Sequence, residues 1–253
     1  MSIFSKFIEK KVCDFCGEEI KLLGNRKLED GNMCKNCAAK LSPWFSERRH
    51  STVADIRDQL EYREANKEKV AAFNVTRTLG TSSTKVLIDE DAGTFMVTSA
   101  SNYRNANPDV INLSDVTAAN LIISDSKTEL MKEGKDGQKV SYVPKRYKYH
   151  YGFNIRINVN NPYFDEINFG IGSAEWEEMA NVRFTPLNNA DYVERKECGD
   201  EIVAELTQAR KDARAELKKE QAPKAAVTCP WCGATTMPDA NGCCEYCGGA
   251  VNN

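Results

Sequence analysis

Long hydrophobic runs are missing from this 253-residue sequence. Its apolar stretches, such as Val70 to Phe73, fall far short of the ~20 residues that a membrane-spanning helix needs. An excess of charge of one sign is missing too: Lys+Arg 34 stand against Asp+Glu 37, a formal net charge of -3. That balance argues against a basic nucleic-acid coat or a polyanionic tail. Histidine is scarce. The two present, His50 and His150, lie beside no motif that would make either a general base. No Gly-rich phosphate loop, nucleophile elbow or His-Glu-x-x-His motif occurs, and Gly134 to Gly137 reads as a hairpin turn. The parts of an enzyme are therefore absent from the sequence pattern. The first residues also lack the apolar core and cleavage site of a secretory signal, so a cytoplasmic location is expected. A hydrophobic content of 41% with 28% charged residues is that of an ordinary soluble protein.

What the chain does have is cysteine, ten in all. In a reducing compartment these are not expected to form a disulfide framework. Eight fall into Cys-x-x-Cys pairs: Cys13/Cys16, Cys34/Cys37, Cys229/Cys232 and Cys244/Cys247. Two such pairs close one tetrahedral four-thiolate site, so two Zn2+ ions per chain are expected. A Cys-x-x-Cys can also be a redox dithiol, but those occur singly at a helix start after a βα unit, and no such strand precedes these. Catalytic zinc keeps an open coordination position, whereas four thiolates close it. Both sites read as structural staples.

In the second site, Cys229-Pro-Trp-Cys-Gly and Cys244-Glu-Tyr-Cys-Gly repeat one knuckle, the pattern of a zinc ribbon. Its larger apolar side chains, Val227, Trp231, Met237, Tyr246 and Val251, are too few for a self-sufficient core. Zinc must then supply the folding free energy. Cys243 offers an alternative Cys-x-x-x-Cys spacing, but the Cys244 register is favoured because it recreates the knuckle seen at Cys229. In the first site, Gly17 follows the first pair, Asp30-Gly31-Asn32 marks a hairpin turn, and Cys34-Lys-Asn-Cys37 runs into a helix-compatible stretch.

Knuckle, hairpin and ligands at a helix start form the treble-clef order. These residues, with Leu41-Ser-Pro-Trp-Phe behind them, resemble an uncharacterised bacterial family whose N-terminal four-cysteine zinc finger precedes a β-rich domain. The likeness covers roughly the first seventy residues and implies zinc and a fold, with no reaction attached.

Beyond the finger, Thr52 and Asp55 make a variant capping box, and Val53, Ile56 and Leu60 recur at helical spacing. A helix of about fifteen residues is expected to link finger and core, with Arg57, Asp58, Glu61, Arg63 and Glu64 facing water. From Phe73 to about Phe184 short apolar runs alternate with turn signals, and Asp89 to Gly93 joins two strands. Tyr147, Tyr149, Tyr151, Phe153, Ile155, Ile157 and Val159 alternate with Arg146, Lys148, His150, Asn154, Arg156 and Asn158, which reads as a half-buried antiparallel strand. A turn at Asn160 to Pro162 leads to a second strand carrying Ile167 and Phe169. Strand-rich order followed by a helix, carried by Ile88-Asp-Glu, Val110-Ile-Asn-Leu-Ser-Asp-Val and this hairpin, resembles a bacterial pleckstrin-homology-like (PH-like) half-open barrel. Asp191 to Gln221 should be a charged helix with Ile202, Leu206, Ala209, Ala213 and Leu217 on one stripe. Its early part is expected to cap the barrel and its later part to be solvated, with a hinge from Ala222. Cys198 reads as a small buried side chain, with a reactive thiol as the alternative.

The expected architecture is thus α+β and multidomain. It comprises a finger (1–50), a linking helix (51–70), a PH-like antiparallel half-barrel (71–190), a charged helix (191–222) and a terminal zinc ribbon (223–253). Nucleic acid is disfavoured as a partner of the ribbon, because from Ala225 onward there is no Lys or Arg. Residues 1–50 hold ten Lys/Arg against seven Asp/Glu, an excess that a four-thiolate zinc centre of about -2 mostly cancels. Arg146, Lys148 and Arg156 share one strand face and form a candidate patch for an anionic partner, which keeps peripheral membrane contact open. The class that remains is a non-enzymatic, zinc-stapled scaffold that binds another protein, with nucleic acid or anionic lipid as the alternative.

Overall fold

The computed structural model describes residues 11–21, 23–81, 83–179, 185–220, 226–239 and 242–251. The chain falls into two compact units, Met1–Lys211 and Asp212–Asn253. The first opens with a hairpin of β1 (Asn25–Lys27) and β2 (Asn32–Cys34), followed at once by α1 (Lys35–Ala38). Helix α2 (Val53–Ala72) is next, longer than the expected fifteen residues. Its capping box is as the sequence implies: Thr52 Oγ1 accepts from the Asp55 N–H, and the Asp55 carboxylate accepts from the Thr52 N–H. The hairpin tip adds a third cap, because Asp30 Oδ1 accepts from the Val53 N–H at 2.7 Å. Gly31 permits this approach, since a Cβ there would meet Val53 Cγ2 at 2.4 Å.

A first antiparallel sheet follows, with β3 (Arg77–Leu79), β4 (Lys85–Asp89) and β5 (Thr94–Thr98) as a meander; after the single turn α3 (Tyr103–Ala106), β6 (Ile111–Asn112) completes the order β3-β4-β5-β6. The loop at Asp89 to Gly93 joins β4 to β5 as expected. A second sheet is formed by β7 (Val116–Glu129), β10 (Tyr147–Val159) and β11 (Glu166–Glu177) in the order β11-β10-β7, and the small hairpin of β8 (Met131–Glu133) and β9 (Lys139–Ser141) lies between β7 and β10 in sequence. Among the described residues no ladder closes the sheets into a barrel.

The alternation read along β10 holds from Phe153 to Val159, while Tyr147, Tyr149 and Tyr151 are only half-buried, as is Lys148 between them. Phe153, Ile155, Ile157 and Val159 are buried, and Ile167 and Phe169 of β11 meet them from across the hairpin. Beyond Phe169 a bulge intervenes: Phe153 pairs with Gly172 and Asn154 with Gly170, leaving Ile171 as the extra residue. Gly172 takes φ +125°, a backbone region that side-chain-bearing residues rarely adopt. The extra residue switches the inward parity of β11 from odd to even positions. Ala174 is therefore buried, while Glu175 and Glu177 turn to water instead of into the core.

Replacing Arg146, Lys148 and Arg156 together with Ala should leave unfolding free energy within about 1 kcal/mol of wild type, because exposed ion pairs contribute little. Ile157→Ala on the same strand should cost ~2–5 kcal/mol through lost burial and a cavity. Denaturant melts of the two variants check the face assignment, and the reverse ranking would show it inverted.

One assignment from the sequence is corrected here. Arg63 does not face water on α2: its side chain is 9% exposed, and its Nη1 donates to Asp109 Oδ1 at 2.7 Å, a carboxylate with no exposed surface at all. Ser42 Oγ donates to the other oxygen of Asp109 at 2.8 Å, and Arg63 also donates to the carbonyls of Lys40 and Asn107. Asn66, one turn on, donates to Pro108 O and accepts from the Val110 N–H. Asn107 reaches this network from a left-handed conformation (φ 50°), which asparagine tolerates better than most residues. One buried polar network therefore ties the chain after the finger's last ligand, α2 and the approach to β6. Burial pushes the Asp109 carboxyl above the ordinary carboxylate range, against the pull of Arg63 and Ser42.

Helix α4 (Ala190–Glu220) buries Cys198, Ile202 and Leu206 in its first half, as the stripe implies. Gly199 lets it approach β7 closely, since a Cβ there would meet Leu121 Cδ1 at 2.6 Å. Cys198 is buried, with the Thr81 hydroxyl 3.8 Å from its sulfur. Later positions are open, Leu217 among them. Of the expected hinge, 222–225 lies outside the described residues, and Val227 and Thr228 form β12 (Val227–Thr228), which pairs with β13 (Thr235–Thr236) in the second unit.

Candidate metal centres

Three of the four Cys-x-x-Cys pairs are folded by the same local rule. The first cysteine's N–H donates to the carbonyl five residues on, and the glycine after the pair donates back to the first cysteine's carbonyl: Cys13 with Glu18 and Gly17, Cys229 with Ala234 and Gly233, Cys244 with Gly249 and Gly248. That turn requires positive φ at its end, and the three glycines adopt 74°, 71° and 67°. The fourth pair is built differently. Cys34 is the N-cap of α1, its sulfur accepting from the Cys37 N–H at 3.4 Å, so both ligands sit at a helix start. Asp14 fastens the first knuckle to the hairpin, donating from its N–H to Asn32 O and accepting from the Asn32 N–H at 2.6 Å.

These turns bring Cys13, Cys16, Cys34 and Cys37 into one cluster and Cys229, Cys232, Cys244 and Cys247 into another, with all ligand atoms of each cluster within 4.8 Å of one another. The sulfurs of Cys16 and Cys34 are 3.8 Å apart, those of Cys229 and Cys247 3.6 Å, and those of Cys232 and Cys244 3.7 Å. A disulfide requires about 2.05 Å. A tetrahedron of sulfurs at about 2.3 Å from zinc has an edge of about 3.8 Å, so the donor sets fit the ion in number, chemistry and spacing. Two zinc ions per chain follow. Cys243 stands outside the second cluster; its N–H donates to Asp239 Oδ1 at 2.8 Å, and the Cys244 register is the one the chain uses.

Although burial pushes the Cys13 thiol up, the N–H groups of Cys34, Phe15 and Cys16 outweigh it and hold the thiol at about 6. Cys244 meets the same contest between burial and the N–H groups of Cys247 and Tyr246, and also settles at about 6. Burial, and then the neighbouring sulfurs, drive Cys37 far up. At Cys247 the Gly249 N–H pulls downward, but Cys232 and Cys229 prevail and push it up to about 12. Backbone N–H groups thus favour the thiolate at Cys13 in the first site and at Cys229 and Cys244 in the second, and four thiolates so close together need a cation to offset their repulsion.

Residues 11–59 match a family model described as a domain of unknown function, DUF4428. The match spans the first centre from its knuckle to the opening of α2, within the roughly seventy residues that carry the sequence resemblance. No curated protein matches the chain, and neither does any solved structure.

The candidate anionic patch is brought together on one face but is compensated there. Lys148 Nζ lies 2.7 Å from Glu175, Arg156 Nε 3.1 Å from Glu166, and Arg146 stacks on the Tyr142 ring. His150 is 3.3 Å from Glu175. The carboxylates come from β11, where Glu166 faces outward ahead of the bulge and Glu175 is turned outward by it. Among the described residues no helix is long and apolar enough to cross a membrane.

The ribbon belongs to the second unit, whose hydrophobic cluster among the described residues is Cys229, Cys244 and Val251 with Val227 against it. Cys232→Ser should therefore abolish the ribbon's fold and leave the melting of the first unit unchanged. Calorimetry on wild type and variant checks this; a large shift of the main transition would show the two units to be thermodynamically coupled.

Proposed function

We propose that this chain is a non-enzymatic, zinc-stapled binding protein that recognises another protein. The reading rests on one observation above the others. Trp231 and Tyr246 occupy equivalent places in the two ribbon knuckles and remain 75% and 72% exposed. Phe15, at the same place in the finger's knuckle, is instead packed against the finger's core. Trp231 is not loosely held: its indole N–H donates to Ala250 O at 3.1 Å, and its ring covers Gly249. Rigid, exposed aromatics are the usual anchors of protein interfaces. With Asp239 and Glu245 as its charged side chains and a thiolate centre of about -2, the ribbon suits a partner surface that is apolar and basic.

Two finer readings of the fold support a scaffold role. The knuckle, hairpin and helical ligands of the finger accord with a treble clef, and a four-stranded meander, a three-stranded meander and a helix, in that order, accord with a PH-like half-barrel. In both centres four thiolates leave no coordination position for a substrate. The test is capture of partners from the host's own extract by wild type and by Trp231→Ala/Tyr246→Ala, each checked for full zinc content. A partner lost only from the variant supports the reading; partners retained equally by both would remove the ribbon from the interface.

A further inference from the structure

The finger carries a concave basic site that its metal centre does not use. Strand β1 and the 3-10 turn Glu47–His50 enclose a cleft of about 600 Å3, lined by Arg26, Lys27, Arg48 and Arg49 with Glu29 as the acid among them. Several other cations of the first unit are paired with carboxylates: Arg63 with Asp109, Arg77 with Glu90, Lys148 with Glu175, Arg156 with Glu166. The four in the cleft have no carboxylate partner among the described residues. Two of them are also held in place, since Arg48 Nη1 donates to Lys27 O at 2.8 Å and Arg26 Nη1 reaches Leu23 O at 3.5 Å. Partial burial, and then the charges of Arg26 and Arg49, push the Arg48 guanidinium below its ordinary value, as expected of like charges crowded without a counterion.

We propose that this cleft binds a ligand bearing clustered phosphate groups. Three guanidinium groups and an ammonium suit such a ligand, because the arginine fork matches phosphate oxygens two at a time. The volume lies within the range of small-ligand sites, about 300–1,000 Å3. No aromatic side chain lines the cleft, so nothing there stacks a base, and Asp30 and Glu47, next in sequence to the lining residues Glu29 and Arg48, add negative charge that opposes an extended polyanion. The same phosphate chemistry has two sources, a free oligophosphate or the headgroup of a phosphorylated lipid. Leu23, 91% exposed beside Arg26, would meet the acyl boundary in the second case.

The full zinc-loaded chain is titrated calorimetrically with sodium triphosphate, and in parallel sedimented with phosphatidylcholine vesicles with and without a bis-phosphorylated inositol lipid. Saturable binding that weakens with salt is expected in at least one arm, and the arm identifies the source. Lys27→Gln/Arg49→Gln, at two exposed side chains, should weaken it about tenfold or more with zinc content unchanged, while Arg156→Gln leaves it intact. In the vesicle arm Leu23→Ser should weaken binding as well. No saturation by about 1 mM ligand in either arm, binding indifferent to Lys27→Gln/Arg49→Gln, or tighter binding to single-stranded nucleic acid than to both probes overturns the proposal.

Discussion

Cys13→Ser should strip zinc from the finger and unfold the segment from Val12 to about Phe45, while the ribbon keeps its ion. Cys13 is buried at the centre of that segment's core, where it touches both ligand chemistry and packing: its sulfur accepts from the Cys34 N–H at 3.3 Å, and Leu28, Met33, Cys37, Leu41 and Ile56 surround it. Five buried apolar residues in so short a stretch, with Ile56 of α2 against them, cannot offset the conformational entropy of folding it. Metal binding of about 10–16 kcal/mol in comparable finger peptides can. The damage should not stop at the finger. Ile56 of α2 packs on its core, Asp30 caps α2, and Lys40 and Ser42 contact Arg63 and Asp109. The first unit should therefore melt several degrees lower while its sheets still form. Zinc content and circular-dichroism melts check this, with Cys243→Ser as the control that should change neither. A variant that keeps two zinc ions would exclude Cys13 as a ligand.

Asp109→Ala should be the most damaging substitution away from the metal centres, at about 3–5 kcal/mol. The change leaves the Arg63 guanidinium buried, with only the carbonyls of Lys40 and Asn107 to satisfy it, and leaves the Ser42 hydroxyl without its acceptor. Arg63→Met should cost a comparable amount by stranding the Asp109 charge. The double variant Arg63→Met/Asp109→Leu should be less destabilised than the sum of its parts by at least about 1 kcal/mol, because it removes both buried charges at once. Denaturant unfolding of the three variants measures that coupling. Additive effects, or single costs below about 1 kcal/mol, would mean that the pair is solvated and does not lock α2 to the sheet.

What the sequence revealed and what it concealed divide along physical lines. The metal ligands were legible because a thiolate site needs its donors at short, fixed spacing, and the glycine after three of the pairs marks the positive φ that the knuckle requires. The two faces of β10 were legible because tyrosine, phenylalanine and isoleucine alternate with bases and amides. The capping box at Thr52 was legible because its two residues are three apart. Arg63 was not, since its partner Asp109 lies 46 residues away and nothing on α2 distinguishes it from Arg57. The bulge at Ile171 and Gly172 was equally hidden: period-2 reading carried forward from Ile167 would bury Glu175, and only the extra residue turns it toward Lys148. Trp231 and Tyr246 read as ribbon core by composition, yet the knuckle geometry turns both outward. The basic cleft was diluted in a sum over residues 1–50, because its four cations come from two segments that only the hairpin brings together.

Native mass spectrometry of freshly reduced full-length protein tests the central claim most directly. The expected mass is that of the chain plus two zinc ions, falling to one in Cys13→Ser and to one in Cys232→Ser, with no visible absorbance in any of the three. A wild-type mass showing one ion, none, or iron with sulfide would contradict two closed zinc–thiolate centres as the basis of this fold.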